Sequence, residues 1–290
     1  MVSPRARFTV PLPDGRSLKL GERTLVMGIL NITPDSFAGG PDGDARMDPE
    51  RAIADALQMV RDGADILDIG GESTRPGAPM LAADEEWRRV RPVLAGLRGR
   101  VDVPISIDTY KAVVAEHAIA LGASIVNDIS GFTYDPALPA VVAKAGAAAI
   151  LMHNRGRSEN IYEFALYDDV MGEISRELAE RVDAAERAGV PHDRVIVDPG
   201  YGFAKRAGHT LEALARLEEL AAIGRPILSG PSRKSFLKTS LGDVPPAGRI
   251  WGTAAAVTAS ILAGAHIVRV HDVREMAQVA RTADAIRNSR

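Results

Sequence analysis

The chain contains no cysteine, so disulfides and thiolate metal sites are excluded. It has no run of about 18 apolar residues, the length that a membrane-spanning helix requires. It lacks a basic excess: 35 Lys and Arg stand against 38 Asp and Glu, for a formal net charge of −3. A general nucleic-acid or membrane-surface binder carries the opposite balance. Residues 1–20 are broken by Pro4, Pro11, Pro13 and Asp14 and lack the apolar stretch of a secretory signal, so the cytoplasm is the expected compartment. Several catalytic signatures are missing too. Gly230-Pro231-Ser232-Arg233-Lys234-Ser235 does not have the spacing of a phosphate-binding loop, and Gly200-x-Gly202 is too short for a dinucleotide fingerprint. There is no Gly-x-Ser-x-Gly elbow and no His-Glu-x-x-His.

What is present is a regular alternation. The 290 residues are 46% hydrophobic and 25% charged, ordinary for a soluble globular protein and long enough for a sizeable core. Eight short apolar runs occur, at 25–31, 65–71, 103–108, 124–128, 147–153, 195–198, 226–229 and 266–271. Most are rich in Ile, Val and Leu, as strands buried on both faces are. Amphipathic stretches lie between them, for example 49–61, 111–121, 168–188 and 249–263. Six such stretches end at a glycine before the next run: Gly63, Gly122, Gly146, Gly189, Gly224 and Gly264. Eight β–α units predict an α/β fold, a (β/α)8 TIM barrel, with a doubly wound open sheet as the alternative. Residues 8–20 read as a short N-terminal hairpin around Pro13-Asp14-Gly15 that plugs the barrel bottom. The expected organisation is one domain over 1–290, with the hairpin segment in 1–24 and the barrel in 25–288.

Chemistry in such a barrel sits at the C-terminal ends of the strands. Here nearly every run ends in a polar residue: Asn31, Glu72 to Arg75, Asp108, Asn127-Asp128, His153-Asn154, Asp198, Ser232 to Ser235, and Arg269 with His271. Strand parity places Arg269 and His271 on one face and Val268 and Val270 on the other, so the cation and the histidine point inward. An inward cation needs an anionic partner. That partner is either a barrel aspartate or, with Asn31 and a loop cation nearby, an anionic group of a substrate. Ser106 and Asp108 share the inward face as well. Asp108 and Asp198 suit metal ligation, general base work or acceptance of N–H groups from a heterocycle. No His-x-His pair accompanies them, which weighs against a metal cluster. Two parallel N–H donors on one carboxylate match an aminopyrimidinone edge. For Asp108 the competing role is a helix N-cap, because a helix is predicted to begin near Lys111. His153 reads as hydrogen-bonded and not catalytic, and Met152 as pocket lining. Two glycine-rich polar loops, 33–43 and 70–78, read as mobile lids.

Taken in order, these segments resemble the dihydropteroate synthases over about 24–281. The likeness is carried by Met27-Gly28-Ile29-Leu30-Asn31-Ile32-Thr33-Pro34-Asp35-Ser36-Phe37 and Asp68-Ile69-Gly70-Gly71-Glu72-Ser73-Thr74-Arg75-Pro76-Gly77. It continues through Ser106-Ile107-Asp108-Thr109, Asn127-Asp128, Asp198-Pro199-Gly200-x-Gly202-Phe203, Ser232-Arg233-Lys234-Ser235 and Arg269-Val270-His271-Asp272. The resemblance implies that Asp108, Asn127, Asp198 and Lys234 hold a pterin ring, with Met152 lining its pocket. It implies that Asn31, Arg269 and His271 hold a pyrophosphate, with Mg²⁺ ligated near Asn31. Asp35 and Phe37 on the first loop, with Thr74, Arg75 and Pro76 on the second, would close over the site. Ser235, Lys234, Phe203 and Pro76 would frame p-aminobenzoate. Lys234, Asp35, Arg75 and Asp108 are the implied catalytic residues. The implied chemistry resembles an SN1 reaction, in which pyrophosphate leaves before the arylamine attacks a pterin methylene cation. A homodimer is the expected assembly.

The chain departs from the family pattern at three places. Ala38-Gly39-Gly40 follows Phe37 where Ser-Asp-Gly-Gly is common, Ala204-Lys205 stands for Gly-Lys, and His209-Thr210 for His-Asn. Rival readings on the same barrel are a pterin-dependent methyltransferase and a catalytically silent pterin binder. The methyltransferase has no need of the Ser-Arg-Lys-Ser segment, the Arg-x-His pair or the Ser-Thr-Arg-Pro loop. A sugar-phosphate isomerase or aldolase would want a lysine or glutamate on a strand, and Lys234 lies in the loop after one.

Overall fold

The computed structural model describes residues 5–33, 48–75, 77–157 and 159–289. Eight parallel strands form the wall, in the spatial order β8-β7-β6-β5-β4-β3-β10-β9. They are β3 (Leu25–Asn31), β4 (Ile66–Gly70), β5 (Ile105–Asp108), β6 (Ala123–Asp128), β7 (Ala148–Met152), β8 (Val195–Asp198), β9 (Leu228–Ser229) and β10 (Ile267–Val270). An isolated parallel bridge, Val197 to Ile227, joins the two ends of this order and closes the barrel. The open-sheet alternative is thereby set aside. The eight predicted runs all contain strands. The seventh keeps only two strand residues, because Pro226 at its start has no N–H to give a ladder.

Helices α1 (Pro49–Arg61), α2 (Ala83–Leu97), α3 (Ala112–Ala120), α4 (Leu138–Ala145), α5 (Val170–Arg187), α6 (Ala207–Ala215), the short α7 (Lys238–Leu241), α8 (Ile250–Leu262) and α9 (Val273–Asn288) cover the outside. Among the described residues none is long and apolar enough to cross a membrane. Period-2 parity divides each strand between two cores. Val26, Leu30, Leu67, Ile69, Ile105, Ile107, Val126, Ala149, Leu151, Val195, Val197, Val268 and Val270 pack outward against the helices. Leu25, Met27, Ile66, Ile125, Ala148, Ile150, Ile196, Leu228 and Ile267 fill the barrel interior. All six of the glycines expected to end helical stretches have positive φ, with Gly146 (63°) and Gly224 (70°) acting as left-handed caps.

The hairpin forms as expected. Strands β1 (Phe8–Pro11) and β2 (Ser17–Leu20) pair antiparallel, and Val10, Leu12, Leu18 and Leu20 join the interior core. Each such burial contributes about 1.5–3 kcal/mol. The plug is tied to the wall by His266, which is 3% exposed. Its Nδ1 accepts the Ile227 N–H at 3.1 Å, so the ring proton stands on Nε2, 3.0 Å from the Ala6 carbonyl oxygen. A second proton would set one N–H against another. Burial accordingly lowers the pKa of His266 from 6.5 to about 4. Between those values the unfolded chain binds more protons, so stability falls as pH drops below about 6.5. His266→Gln preserves one acceptor and one donor without the titration. Between pH 7 and 5, urea unfolding should show the unaltered protein losing about 2 kcal/mol more than this variant. Equal losses would mean that His266 is not held neutral.

Candidate active site

The apolar interior stops one level below the C-terminal rim. There the register aligns Asn31 with Gly70, Gly70 with Asp108 and Asp108 with Asn127 across four neighbouring strands. Asp198 lies opposite Met152 on the next pair. Gly70 leaves a gap in this level, since a Cβ there would stand 3.3 Å from that of Asp108. One level lower lie Asp68 and Ser106, paired in register and fully buried. Arg269 crosses the interior to reach both levels. Its Nε lies 2.5 Å from Asp68 Oδ2 and its Nη2 lies 2.6 Å from Asp108 Oδ2, while Asn127 Nδ2 donates to Asp68 Oδ2 at 3.0 Å. The inward cation therefore has its barrel aspartates.

Asp68 belongs to the site and was given no role by the sequence reading. The parity that placed Asp108 would have found it, because Asp68 stands two residues after the inward Ile66. Its Oδ1 and the Ser106 Oγ are buried without a hydrogen-bond partner among the described residues. Buried polar atoms left in that state call for a ligand or water. The N-cap role for Asp108 is not seen. The first N–H of α3, on Ala112, donates instead to Asp135 Oδ2 at 2.8 Å, and Lys111 N–H donates to Thr109 Oγ1 at 3.2 Å.

At the end of β8, Asp198 Oδ1 accepts the Gly200 N–H at 2.7 Å. Lys234 Nζ donates to the Tyr201 carbonyl and lies 4.7 Å from the centre of the Phe203 ring. Burial lowers the Lys234 pKa to about 8, with Asp198 pulling the other way. Burial raises the carboxyls of Asp198 and Asp108, opposed by Lys234 in the first case and Arg269 in the second. Met152 packs with Tyr110 and Ile129, and Phe203 lies against this group. Ser235, exposed, begins a short 3-10 turn over Ser235–Leu237.

Strands β3 and β10 adjoin; Asn31 ends the first, and Arg269 lies on the second with His271 just past its end. The His271 N–H donates to Ser232 Oγ at 3.1 Å, and His271 Nδ1 lies 3.0 Å from the same oxygen. In the tautomer in which Ser232 donates to Nδ1, the ring proton stands on Nε2. Burial, with Arg233 and Arg269 near, lowers the His271 pKa to about 3, so the ring is a neutral donor at physiological pH. Arg233 has φ 57°, and its backbone is held by Thr253 Oγ1 (3.1 Å to its N–H) and Arg249 Nη1 (2.8 Å to its carbonyl). No group of three His, Cys, Asp or Glu suited to a metal occurs among the described residues.

The second loop starts from a fixed root. The Tyr110 hydroxyl donates to Glu72 Oε1 at 2.8 Å, and Lys111 Nζ bridges Glu72 to the buried Glu86. Thr74 is half-buried and Arg75 exposed just beyond. Asp35, Phe37 and Pro76 lie outside the described residues. His153 is hydrogen-bonded at both ring nitrogens, to Glu177 and Lys205.

Residues 27–271 match the family model for pterin binding enzymes. The chain is 48% identical over 280 residues to the dihydropteroate synthase of Synechocystis, covering 96% of each chain. It is 44% identical to the Clostridium difficile dihydropteroate synthase solved in the presence of pteroic acid, with a TM-score of 0.84 over 92% of this chain and 98% of that one. It is 39% identical to the Xanthomonas albilineans dihydropteroate synthase solved with 4-aminobenzoic acid, with a TM-score of 0.87 over 96% of this chain and 98% of that one.

Proposed function

Since the chain belongs to the pterin-binding enzymes, and among them to the dihydropteroate synthases, we propose that it condenses 6-hydroxymethyl-7,8-dihydropterin pyrophosphate with p-aminobenzoate, giving 7,8-dihydropteroate and pyrophosphate. The observation that carries this reading is the set of inward polar groups at the strand ends: Asp108 and Asn127 in register, Asp198 at the end of β8, Lys234 beside Phe203, and Arg269 bonded to Asp108. Carboxylates and an amide supply acceptors for the N–H edge of a pterin. Arg269, His271 and Asn31 supply donors for a pyrophosphate. Asn31 also offers a hard amide oxygen, which fits Mg²⁺, an ion that takes few protein ligands and fills its shell from phosphate and water. When bound, Mg²⁺ would neutralise charge on the leaving pyrophosphate.

The residues then divide the work. Arg269 and His271 stabilise the pyrophosphate as it departs, and Asp108 and Asp198 favour positive charge on the pterin methylene left behind. Lys234 and Phe203 orient the arylamine, a weak nucleophile that benefits from a cationic electrophile. The proposed assembly is a homodimer in the cytoplasm. Its support is an outward stripe on α8, Trp251, Ala255 and Ala259 at four-residue spacing, with Trp251 80% exposed.

The test is pyrophosphate release that requires both substrates. Thermal-shift titration with methyl-tetrahydrofolate separates the methyltransferase reading. Calorimetry should show p-aminobenzoate binding weakly to the free protein and roughly 5- to 150-fold tighter once pyrophosphate, Mg²⁺ and a pterin are present. Arg75→Ala should remove much of that gain. Equal affinity in both states would mean a preformed second subsite.

A further inference from the structure

The chain between β8 and α6 is gripped from beneath by a side chain that the chemistry above does not use. Lys205 is 1% exposed. Its Nζ lies 2.8 Å from His153 Nδ1, 3.1 Å from the Gly200 carbonyl and 3.0 Å from the Phe203 carbonyl. The His153 carbonyl lies at 3.4 Å as a fourth acceptor, so the buried amino group is ringed by partners for its N–H donors, while burial drives its pKa well below 10.5. With Lys205 donating to Nδ1, the His153 ring proton stands on Nε2, which is 3.1 Å from Glu177 Oε2. The Tyr167 hydroxyl donates to the Ala204 carbonyl at 3.0 Å, and the Gly202 N–H donates to Thr210 Oγ1 at 3.2 Å.

The backbone needs this support. Gly200 (φ 66°), Gly202 (φ 76°) and Ala204 (φ 46°) are all left-handed. At Gly200 any Cβ would stand 2.0 Å from the His153 carbonyl oxygen. Ala204 holds its conformation despite a side chain, which requires surroundings that over-determine it. The loop delivers two groups to the pocket: the Tyr201 carbonyl, which accepts from Lys234, and the Phe203 ring beneath the same ammonium.

We propose that Lys205 is a positioning residue for the arylamine half of the site, setting Phe203 and the seat of Lys234 by folding residues 200–205 around its buried amino group. The inference rests on the reading of Phe203 and Lys234 as the frame of the p-aminobenzoate subsite. Of the proposed pterin contacts, Asp108 and Asn127 stand on β5 and β6, away from this loop, and Asp198 at its root is fixed by the ladder of β8 to β7 as well as by the Gly200 N–H. Loss of the grip therefore acts on one substrate more than the other.

Steady-state kinetics of pyrophosphate release, with each substrate varied in turn, tests this. Lys205→Met keeps the apolar stem and removes the donors. Its KM for p-aminobenzoate should rise roughly 10-fold or more, with KM for the pterin pyrophosphate within about 2-fold of normal. Tyr167→Phe removes only the bond to Ala204 and should move the same constant in the same direction by about 3-fold. It decides the matter if Lys205→Met does not fold. Equal changes in both KM values, or none, would overturn the positioning role. An unaltered protein that releases no pyrophosphate would overturn the functional reading itself.

Discussion

Lys234→Ala should lower turnover by roughly 10²-fold or more, the scale of a lost charged contact to a transition state, while the unfolding midpoint changes little. The side chain sits between Asp198 and the Phe203 ring with its ammonium on the Tyr201 carbonyl. Burial of that charge already disfavours the folded state, so its removal relieves one cost while losing one hydrogen bond. The pKa of about 8 lies below the 10.5 of an unfolded lysine. Between those values the unfolded chain binds more protons, so this group makes the fold more stable as pH rises from about 8 to 10.5. Activity moves the other way, because the positive charge is lost through the same window. The unaltered enzyme should therefore lose kcat/KM above about pH 8, and the alanine variant should lack that limb. A folded Lys234→Ala protein with near-normal turnover would remove Lys234 from the site.

Asp108→Asn should weaken pterin binding by several kcal/mol, about 10²-fold or more. The asparagine amide would turn N–H groups toward a ligand edge that also donates, and toward Arg269, which lies 2.6 Å from the carboxylate. The fold should tolerate the change, because Arg269 keeps its ion pair with Asp68 at 2.5 Å. The first turn of α3 takes its side-chain acceptor from Asp135, so no cap is lost at Asp108. Asp135→Ala provides the contrast: a stability loss of about 1 kcal/mol with pterin affinity intact. Calorimetric titration of both variants separates the roles, and unaltered affinity in Asp108→Asn would deny the carboxylate its place on the ring.

Much of this arrangement was legible because a buried strand records its two faces in alternate letters. Ser106 with Asp108, and Arg269 with His271, were placed inward by parity alone. Helix ends were legible at glycines such as Gly146, whose φ is 63°. Asp68 is hidden in the sequence because it lies inside the apolar run 65–71, three residues short of its end and below the polar residues of the rim. The grip of Lys205 on His153 was hidden for another reason. The two are 52 residues apart and meet only because β7 and β8 are neighbours. The side-chain acceptor at the start of α3 is hidden for the same cause, since Asp135 lies 23 residues from Ala112. Local spacing reports the face on which a side chain lies and not the distant group that meets it.

The barrel wall is not uniformly laced. β9 pairs with β10 at two positions and meets β8 through the single Val197–Ile227 bridge, with one N–H from Val197 to the Pro226 carbonyl. The loops carrying Phe203 and Lys234 both leave the wall at this seam, whereas Asp108 and Asn127 stand within a run of five strands each paired at four or more positions. Thermal breathing of the cylinder is concentrated where ladder bonds are fewest. Amides along the seam then exchange with solvent sooner than those of β5 and β6. The compliance falls on the side proposed for the arylamine, and the part of the proposed pterin floor built on β5 and β6 stays stiff.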